Sequence, residues 1–217
     1  MIFGSGELKE KFLTLSKGRD IDLAIYAHHS KKILYTETFF NAQCKQLKEN
    51  SESIKLIYFS SLSLYDTSLA NDPYVLFQKR TENWIQSNLE NYNIFRLPIL
   101  VGDLNENNLI SYIHNCIIED KTINIFNNAT RYIMDIDDVI DFVFNNFTRE
   151  NKIINMYISK PISIHNIITC LSELINKSVN IKLLNEGYSY HLPIIDYPNY
   201  KIYLMKTLSK YYNTQAK

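Results

Sequence analysis

The stretch from Lys55 to Trp84 constrains the fold of this chain more than any other part of the sequence. It opens with Leu56-Ile57-Tyr58-Phe59, an apolar run of β-branched and aromatic residues that predicts a buried strand. Hydroxyl side chains follow the run: Ser60, Ser61, Ser63 and Tyr65. Pro73 then predicts the start of a helix, because proline suits the first helical position and Asn71 or Asp72 can cap it. The stretch therefore predicts a strand, a polar connection and a helix.

Tyr74 lies in the first turn of the predicted helix, and the residue four positions after it bears on its chemistry. Because a helix turns by about 100° per residue, that residue lies on the same face as the tyrosine. It is Gln78, whereas Lys79 lies about 140° round the helix from Tyr74. A tyrosine, with an ordinary pKa of about 10, needs a nearby cation to ionise near neutral pH. Either the helix start is irregular enough to bring Lys79 round, or the tyrosine has no cation on its face.

A serine at the end of a strand, followed by a helix with a tyrosine and an amine, is the layout of an oxidoreductase proton relay. These residues resemble the motif of the extended short-chain dehydrogenase/reductase family, which includes nucleotide-sugar epimerases and dehydratases. Ser61 lies four residues before Tyr65, where that family keeps its catalytic serine or threonine, and Tyr74 falls where it keeps its catalytic tyrosine. The resemblance implies that Tyr74 is the acid–base group, that Ser61 is its hydrogen-bond partner, and that Lys79 or another cation activates it.

The first residues of the chain have the pattern of a dinucleotide-binding turn. Met1-Ile2-Phe3 predicts a short strand, Gly4-Ser5-Gly6 a turn, and the apolar residues from Leu8 onward an amphipathic helix. Glycines let the backbone approach a pyrophosphate, and the helix N-terminus stabilises its charge. Lys9 occupies the third position of the fingerprint. The family resemblance implies NAD or NADP as the cofactor, with these residues binding it: Gly4, Ser5, Gly6, Leu8, Ala27, Ser60 and Pro98.

A second strand is predicted at Asp22 to Ala27, and it follows the first helix too closely. A complete nucleotide-binding half would place a further helix and further strands between them, including the strand whose end grips the adenine ribose. The nucleotide-binding half is therefore predicted to be shortened. His28 and His29 come next, but adjacent residues on an extended segment point to opposite sides, so at most one can face a shared site. No metal site is predicted.

The second half of the chain contains one candidate substrate-binding residue, Arg131. It lies between a predicted strand, Ile123 to Phe126, and Asp137 and Asp138, which are expected to cap a helix start. The resembled family keeps at this point an arginine that contacts the sugar nucleotide, so the resemblance implies substrate binding by Arg131. From the residues alone, two interpretations remain open, a bidentate contact to a pyrophosphate and a surface salt bridge.

The order of the predicted elements favours an α/β, Rossmann-like fold. We expect a mostly parallel, twisted sheet flanked by helices, with a small C-terminal substrate-binding annex. No linker, internal repeat or low-complexity segment divides the chain, so residues 1–217 are predicted to form a single domain. Residues 1–122 would form mainly the nucleotide-binding core and residues 123–217 mainly the annex. The end of the chain, residues 185–217, could be a lid or an interface.

Charge and cysteine content limit the partners and the compartment. The 23 basic and 23 acidic side chains give a formal net charge of zero, which argues against nucleic acid or an anionic membrane as a partner. The three cysteines have neither disulfide nor metal-site spacing, and there is no signal peptide and no apolar run of about 18 residues. We therefore expect a cytoplasmic protein. In the resembled family, helices equivalent to residues 38–47 and 74–90 often pack against a second copy, so a homodimer is expected.

Three functions are compatible with the sequence. The first is a nicotinamide-dependent epimerase, dehydratase or reductase acting on a nucleotide-activated sugar in surface-polysaccharide synthesis, and the retained Ser61 and Tyr74 favour it. The second is a relative that binds a nucleotide or sugar without redox turnover, which Gln78 and the shortened nucleotide-binding half favour. The third is an interaction or scaffold subunit that keeps only the fold.

Overall fold

The computed structural model describes residues 1–15, 23–28, 35–102, 108–158, 160–193 and 199–212. The strands in these ranges are β1 (Ile2–Ser5), β2 (Leu23–His28), β3 (Lys55–Ser61), β4 (Tyr92–Leu97), β5 (Ile99–Val101), β6 (Ile123–Phe126), β7 (Thr130–Arg131), β8 (Ile133–Asp135), β9 (Lys152–Asn155), β10 (Ile162–Ser163) and β11 (Ile181–Leu184). The helices are α1 (Glu7–Leu15), α2 (Glu37–Ser51), α3 (Pro73–Asn88), α4 (Leu109–Ile118), α5 (Ile136–Asn146), α6 (Ile164–Ile175) and α7 (Tyr200–Tyr212).

β3, the strand predicted from the central stretch, lies in the middle of a five-stranded sheet. The strand order is β1-β2-β3-β4-β9, and every neighbouring pair is parallel. A central strand of a parallel sheet is covered on both faces, so it needs successive apolar residues, which Leu56 to Phe59 supply. The α/β, Rossmann-like fold with a mostly parallel sheet flanked by helices is confirmed.

Different helices cover the two faces of this sheet. On one face, Tyr58 of β3 packs in a cluster with Leu47 of α2 and Ile85 of α3. On the other face, the rings of Phe59 of β3 and Phe12 of α1 lie 5.4 Å apart between centroids. A second aromatic pair brings α5 to that face: Phe95 and Phe142. Helices α2 and α3 therefore lie on one side of the sheet, and α1 and α5 on the other.

The connection from β1 to β2 has the opposite hand to the two that follow it. The strands β1, β2, β3 and β4 are adjacent in that order, so each connection steps in the same direction across the sheet. Helix α1 lies on the opposite face of the sheet from α2 and α3. The connection from β1 to β2 therefore has the opposite hand to the connections from β2 to β3 and from β3 to β4. Crossovers between parallel strands are right-handed in about 98% of cases. Among the described residues β1 pairs only with β2 and lies at the edge of the sheet.

The chain divides into two compact units. The first comprises Met1–Leu97 and Ile136–Met156, and the second Pro98–Asp135 and Tyr157–Lys217. The second unit has its own apolar core, built mainly from α4, α6 and α7. Its short strands pair as β6 with β11, β5 with β8, and β7 with β10.

Asp135 anchors the last helix within the second unit. Its buried carboxylate lies 3.1 Å from Lys210 Nζ and accepts a 2.7 Å hydrogen bond from the hydroxyl of Tyr211. The hydroxyl of Tyr203 in turn accepts a hydrogen bond from the backbone N–H of Asp135. Three residues of α7 therefore hold it against β8.

Helix caps lie close to where the sequence predicts them. Asp72 caps α3, as expected from its position before Pro73, and Ser163 caps α6. Asp137 and Asp138 lie in the first turn of α5, where Asp137 also pairs with Lys11 of the same unit at 2.7 Å. Among the helices described, none combines the length and the apolar character needed to cross a membrane.

Candidate functional site

The end of β3 and the start of α3 bring the two predicted catalytic hydroxyls together. Ser61 is the last residue of β3, and α3 begins at Pro73. The Asp72 carboxylate accepts hydrogen bonds from the backbone N–H groups of Tyr74 (2.9 Å) and Val75 (3.2 Å). This cap fixes the first turn of α3 and, with it, the place of Tyr74 beside Ser61.

The side chains of Ser61 and Gln78 lie close enough to the Tyr74 hydroxyl to affect its pKa. Burial raises the pKa of Tyr74, the interactions with these two side chains offset only part of that effect, and the nearby Asp72 carboxylate raises it further. Within the described part of the chain, no lysine or arginine is among the groups that shift the pKa of Tyr74. The phenol is therefore protonated at neutral pH and carries a proton that it can donate to a ligand.

Gln78 takes the position that the helical spacing predicts for the activating lysine. It is buried, and its Oε1 accepts a 2.8 Å hydrogen bond from the hydroxyl of Tyr58. Lys79 is exposed to solvent. Since α3 is helical without interruption from Pro73, it starts regularly and does not bring Lys79 round to Tyr74.

A network of buried polar side chains continues from Gln78 into the interior, and sequence reasoning missed it. The side chains of Thr81 and Gln43 lie close enough to the Tyr58 hydroxyl to lower its pKa, although burial raises that pKa overall. Gln43 Nε2 donates to Thr81 Oγ1 at 3.2 Å, and Gln43 Oε1 accepts a 3.3 Å hydrogen bond from the Tyr26 hydroxyl. One signal in the sequence could have indicated this network. The spacing of three residues places them on one face of α3: Tyr74, Gln78 and Thr81.

A second buried network lies at the carboxyl ends of β4 and β9. Arg96 makes a bidentate contact with Glu82 of α3, with Nε to Oε1 at 2.9 Å and Nη2 to Oε2 at 2.6 Å. The Tyr65 hydroxyl accepts 2.9 Å hydrogen bonds from Arg96 Nη1 and from Asn155 Nδ2. Tyr65, the residue four positions after Ser61, is thereby fixed by β4 and β9.

The predicted turn Gly4-Ser5-Gly6 lies partly within a strand, since Gly4 and Ser5 belong to β1 and pair with β2, and only Gly6 follows the strand. The two glycines are needed for different reasons. Gly4 has φ +104°, and a Cβ there would lie 2.1 Å from the carbonyl oxygen of Ala27, so close packing of β2 by itself requires glycine. Gly6 has φ +97° and is exposed just before α1. Glu7 opens α1, and its Oε1 is buried with no hydrogen bond from the described residues. A carboxylate at this end of the helix stabilises the dipole in place of an anionic ligand.

Gly4 also lines an open cavity of about 510 Å³ between the edge of the sheet and α2. The residues that line it with Gly4 include Tyr26, Phe39, Gln43 and Gln46. Its volume is in the range of small-molecule sites. Ser61 and Tyr74 are not among the lining residues.

The remaining predicted cofactor residues have different surroundings. Leu8 and Ala27 are buried core residues, 4% and 0% exposed. Ser60 is buried on β3, and its Oγ has no hydrogen-bond partner in the described part of the chain. The side chain of Ser5 lies outside what the structure describes. Pro98 is buried and belongs to the second unit.

Arg131, the predicted substrate-binding residue, is half-buried on β7 in the second unit. Its Nη1 donates to the carbonyl oxygens of Thr130 at 2.8 Å and Tyr188 at 3.1 Å. Two carbonyl oxygens of the main chain therefore orient the guanidinium. No group of three or more histidine, cysteine or acidic side chains suited to a metal ion occurs in the ranges that the structure describes.

No protein-family model matches this sequence, and no curated protein matches it. Solved structures do match its fold. The Bordetella bronchiseptica enzyme WbmH, in complex with NAD+, matches with a TM-score of 0.67 at 14% identity, over 94% of this chain and 80% of that chain. A dTDP-4-dehydrorhamnose reductase from Clostridium acetobutylicum matches with a TM-score of 0.64 at 12% identity, over 85% of this chain and 84% of that chain.

A third structure has the highest sequence identity of the three. It is the UDP-glucuronic acid 4-epimerase of Bacillus cereus in complex with UDP-glucuronic acid and NAD. It matches with a TM-score of 0.61 at 21% identity, over 94% of this chain and 73% of that chain. At such identities the likeness establishes the fold, and this chain has the Rossmann-like α/β fold of these three enzymes.

Proposed function

We propose that this chain is a NAD- or NADP-dependent protein of the epimerase, dehydratase or reductase type, acting on a nucleotide-activated sugar in surface-polysaccharide synthesis. The observation that supports it most is the Ser61–Tyr74 pair at the carboxyl end of a central parallel strand. Ligands of open α/β sheets bind outside the carboxyl ends of the strands. Two of the three structures described above as sharing this fold were solved with NAD+ or with NAD and UDP-glucuronic acid.

The glycine turn and the end of β3 are the parts of this chain that would hold the dinucleotide. The exposed Gly6 and the first N–H groups of α1 would receive the pyrophosphate, and the unpartnered Ser60 Oγ marks a polar position beside the catalytic serine. Glu7 weakens that fit, since its carboxylate competes with an anion at the same helix end. Ser5, Leu8, Ala27 and Pro98 complete the proposed set. A bound nicotinamide would exchange a hydride with a carbon of the sugar.

The protein's own contribution to the chemistry would come from Tyr74. Its neutral phenol would donate a hydrogen bond, and then a proton, to an oxygen of the sugar. Ser61 would share that oxygen and hold it in line with the phenol. Gln78 would stabilise the tyrosinate left behind by a hydrogen bond, but without the positive charge of a lysine, so proton return to Tyr74 is favoured and turnover is slow.

Arg131 would bind the pyrophosphate of the sugar nucleotide. A guanidinium forms short, charge-assisted hydrogen bonds with phosphate oxygens, and here it is oriented by two main-chain carbonyls.

A second function is favoured by one specific observation, the buried Gln78 with Lys79 exposed. A site without a cation beside its tyrosine still binds ligands through the same hydroxyls. The alternative is therefore a relative that binds a nucleotide or sugar without turnover. A protein that keeps only the fold, as an interaction subunit, would bind neither ligand.

The proposal includes a cytoplasmic homodimer. The three cysteines, Cys44, Cys116 and Cys170, are free and buried, which fits a reducing compartment. The subunits would associate through α2 and α3, the helices at the predicted positions.

Ligand binding and turnover can be measured separately on the whole chain. NADH and NADPH fluorescence titrations, with and without UDP and a panel of UDP- and dTDP-sugars, would show whether either cofactor binds. Product analysis by chromatography and mass spectrometry would detect epimerisation, dehydration or reduction. Binding with a new product supports the first function, and binding without a product supports the second. Absence of binding by cofactors and sugar nucleotides would overturn both.

A further inference from the structure

A third buried hydroxyl lies behind the Ser61–Tyr74 pair. Tyr58 is 2% exposed, and its hydroxyl donates to Gln78 Oε1 at 2.8 Å. Gln78 itself is 8% exposed, and its side chain also lies close enough to the Tyr74 hydroxyl to lower its pKa. Three side chains are thus connected in a line, with Tyr58 on β3 at one end and Tyr74 on α3 at the other.

A carboxamide has one accepting end and one donating end, so fixing one end fixes the other. Because Tyr58 occupies Oε1 of Gln78, the NH₂ group is the end left for Tyr74. An NH₂ group can only donate, and the interaction with Gln78 lowers the pKa of Tyr74, as a donor to the phenol oxygen does. The proton of the Tyr74 hydroxyl is then directed away from Gln78, towards Ser61 and a ligand.

We propose that Tyr58 is a positioning residue, which orients the Gln78 amide so that Tyr74 directs its proton to the substrate. This inference rests on the proposed role of Tyr74 as the acid–base group. Without the Tyr58 hydroxyl, the amide can rotate and present its oxygen to Tyr74. The phenol would then donate to Gln78, and its proton would no longer be available to the sugar.

The surroundings of Tyr58 hold its hydroxyl in place. Its ring stacks on that of Tyr26, with centroids 5.9 Å apart and planes 9° apart. Its hydroxyl also interacts with Gln43 and Thr81, which are themselves joined by a 3.2 Å hydrogen bond. A side chain fixed on three sides can impose one orientation on the amide of Gln78.

The test compares two single variants with the double variant, and the measured quantity is the NMR resonance of Tyr74. The protein is labelled with ¹³C at tyrosine Cζ, and the Tyr74 resonance, which reports hydrogen bonding at the phenol oxygen, is identified by its loss in Tyr74→Phe. At neutral pH we expect Tyr58→Phe and Gln78→Leu each to shift this resonance, and the double variant to shift it no further than Gln78→Leu alone. Tyr132→Phe is the matched control, because Tyr132 is equally buried and its hydroxyl accepts from the backbone N–H of Leu192. It should leave the Tyr74 resonance in place.

An unchanged Tyr74 resonance in Tyr58→Phe, or additive shifts in the double variant, would overturn the proposal. If Tyr58→Phe does not fold, the wild-type protein decides the question through nuclear Overhauser effects of the Gln78 side-chain NH₂. Stronger effects to the ring of Tyr74 than to that of Tyr58 support the orientation, and the reverse pattern overturns it.

Turnover provides a second readout that separates this proposal from the proposed function. Where a sugar nucleotide is converted, Tyr58→Phe should lower kcat by about tenfold or more and leave KM unchanged, since proton transfer and not binding is affected. Where no cofactor or sugar nucleotide binds, the proposed function fails, and the spectroscopic cycle still decides whether Tyr58 orients Gln78. An equal loss of kcat in Tyr132→Phe would count against a specific role for Tyr58.

Discussion

The side chain of Gln78 lies one helical turn beyond Tyr74 and interacts with its hydroxyl, while Lys79, the next residue, is exposed to solvent. The position closest to the candidate acid–base group therefore holds a neutral amide. A lysine introduced there would bring a positive charge to the tyrosine's own face of α3. It would stabilise the tyrosinate and lower the pKa of Tyr74.

We therefore expect Gln78→Lys to increase the rate of turnover at neutral pH, by an estimated tenfold or more. The measurement is kcat against pH for the wild type and the variant with a sugar nucleotide that the wild type converts. In the direction that oxidises the sugar, where the tyrosinate must take the proton of a sugar hydroxyl, the wild-type rate should be low and rise with pH, and the variant should reach its plateau at lower pH. Lys79→Gln is the control and should change nothing. Brisk wild-type turnover at neutral pH, abolished by Lys79→Ala, would show that Lys79 and not Gln78 determines the state of Tyr74.

Helical spacing was sufficient to place Gln78 on the face of Tyr74, because α3 is regular and that relation is local. The partner of Gln78 could not be found in the same way. Tyr58 lies on another element, and its hydroxyl meets Gln78 only because α3 packs across β3. The Arg96–Glu82 pair has the same origin, since residues fourteen positions apart on a strand and a helix have no fixed spacing.

The reversed hand of the β1–α1–β2 connection was also beyond sequence reasoning. The sequence shows too few residues between α1 and β2 for further strands. It does not show which face of the sheet α1 covers. The packing of Phe12 on Phe59 sets that face. These two rings are far apart in the sequence, and each could have packed on many other apolar side chains, so the sequence does not predict their contact.

Arg131 provides a test of substrate binding. We expect Arg131→Ala to weaken binding of a UDP- or dTDP-sugar by about 10-fold to 100-fold, because charge-assisted hydrogen bonds to the pyrophosphate are lost. Since the contacts of Arg131 with Thr130 and Tyr188 are to exposed or half-exposed main chain, Tm should change little. Isothermal titration calorimetry and thermal unfolding measure the two effects. Arg149→Ala, at an exposed arginine, should affect neither. Loss of folding in Arg131→Ala would identify the residue as structural.

The two bidentate arginine–glutamate pairs of the first unit should differ in their effect on stability. Arg96 and Glu82 have side chains that are 18% and 4% exposed, whereas Arg80 and Glu37 are 49% and 64% exposed. Glu82→Ala leaves a largely buried guanidinium without its partner and should lower the free energy of unfolding by about 3–5 kcal/mol. Glu37→Ala removes an exposed pair, whose attraction is screened by solvent, and should lower the free energy of unfolding much less than Glu82→Ala. Urea unfolding of both variants tests this, and equal losses would mean that burial does not distinguish the pairs.

Alkaline pH should lower the free energy of unfolding, because several tyrosine hydroxyls and one thiol ionise less readily in the folded protein than in the unfolded chain. Burial raises the pKa of Tyr26, Tyr58 and Tyr74, and raises that of Cys44 from 9.0 to about 11. These groups hold their protons more tightly in the folded state than in the unfolded state. Their contribution to stability is therefore complete below the unfolded-state pKa values and is lost as pH rises through the folded-state values.

We expect the free energy of unfolding to be flat between about pH 7 and 8 and to fall above about pH 9, where the thiol and then the phenols ionise in the unfolded chain. Urea unfolding at successive pH values measures the curve. Tyr58→Phe removes one of the responsible groups and should make the fall between about pH 10 and 11 shallower than in the wild type. Tyr188→Phe, at a tyrosine that is 36% exposed, is the control and should leave the slope unchanged. A wild-type curve that stays level to pH 11, or that Tyr188→Phe flattens as much as Tyr58→Phe, would show that these buried groups do not govern stability in alkali.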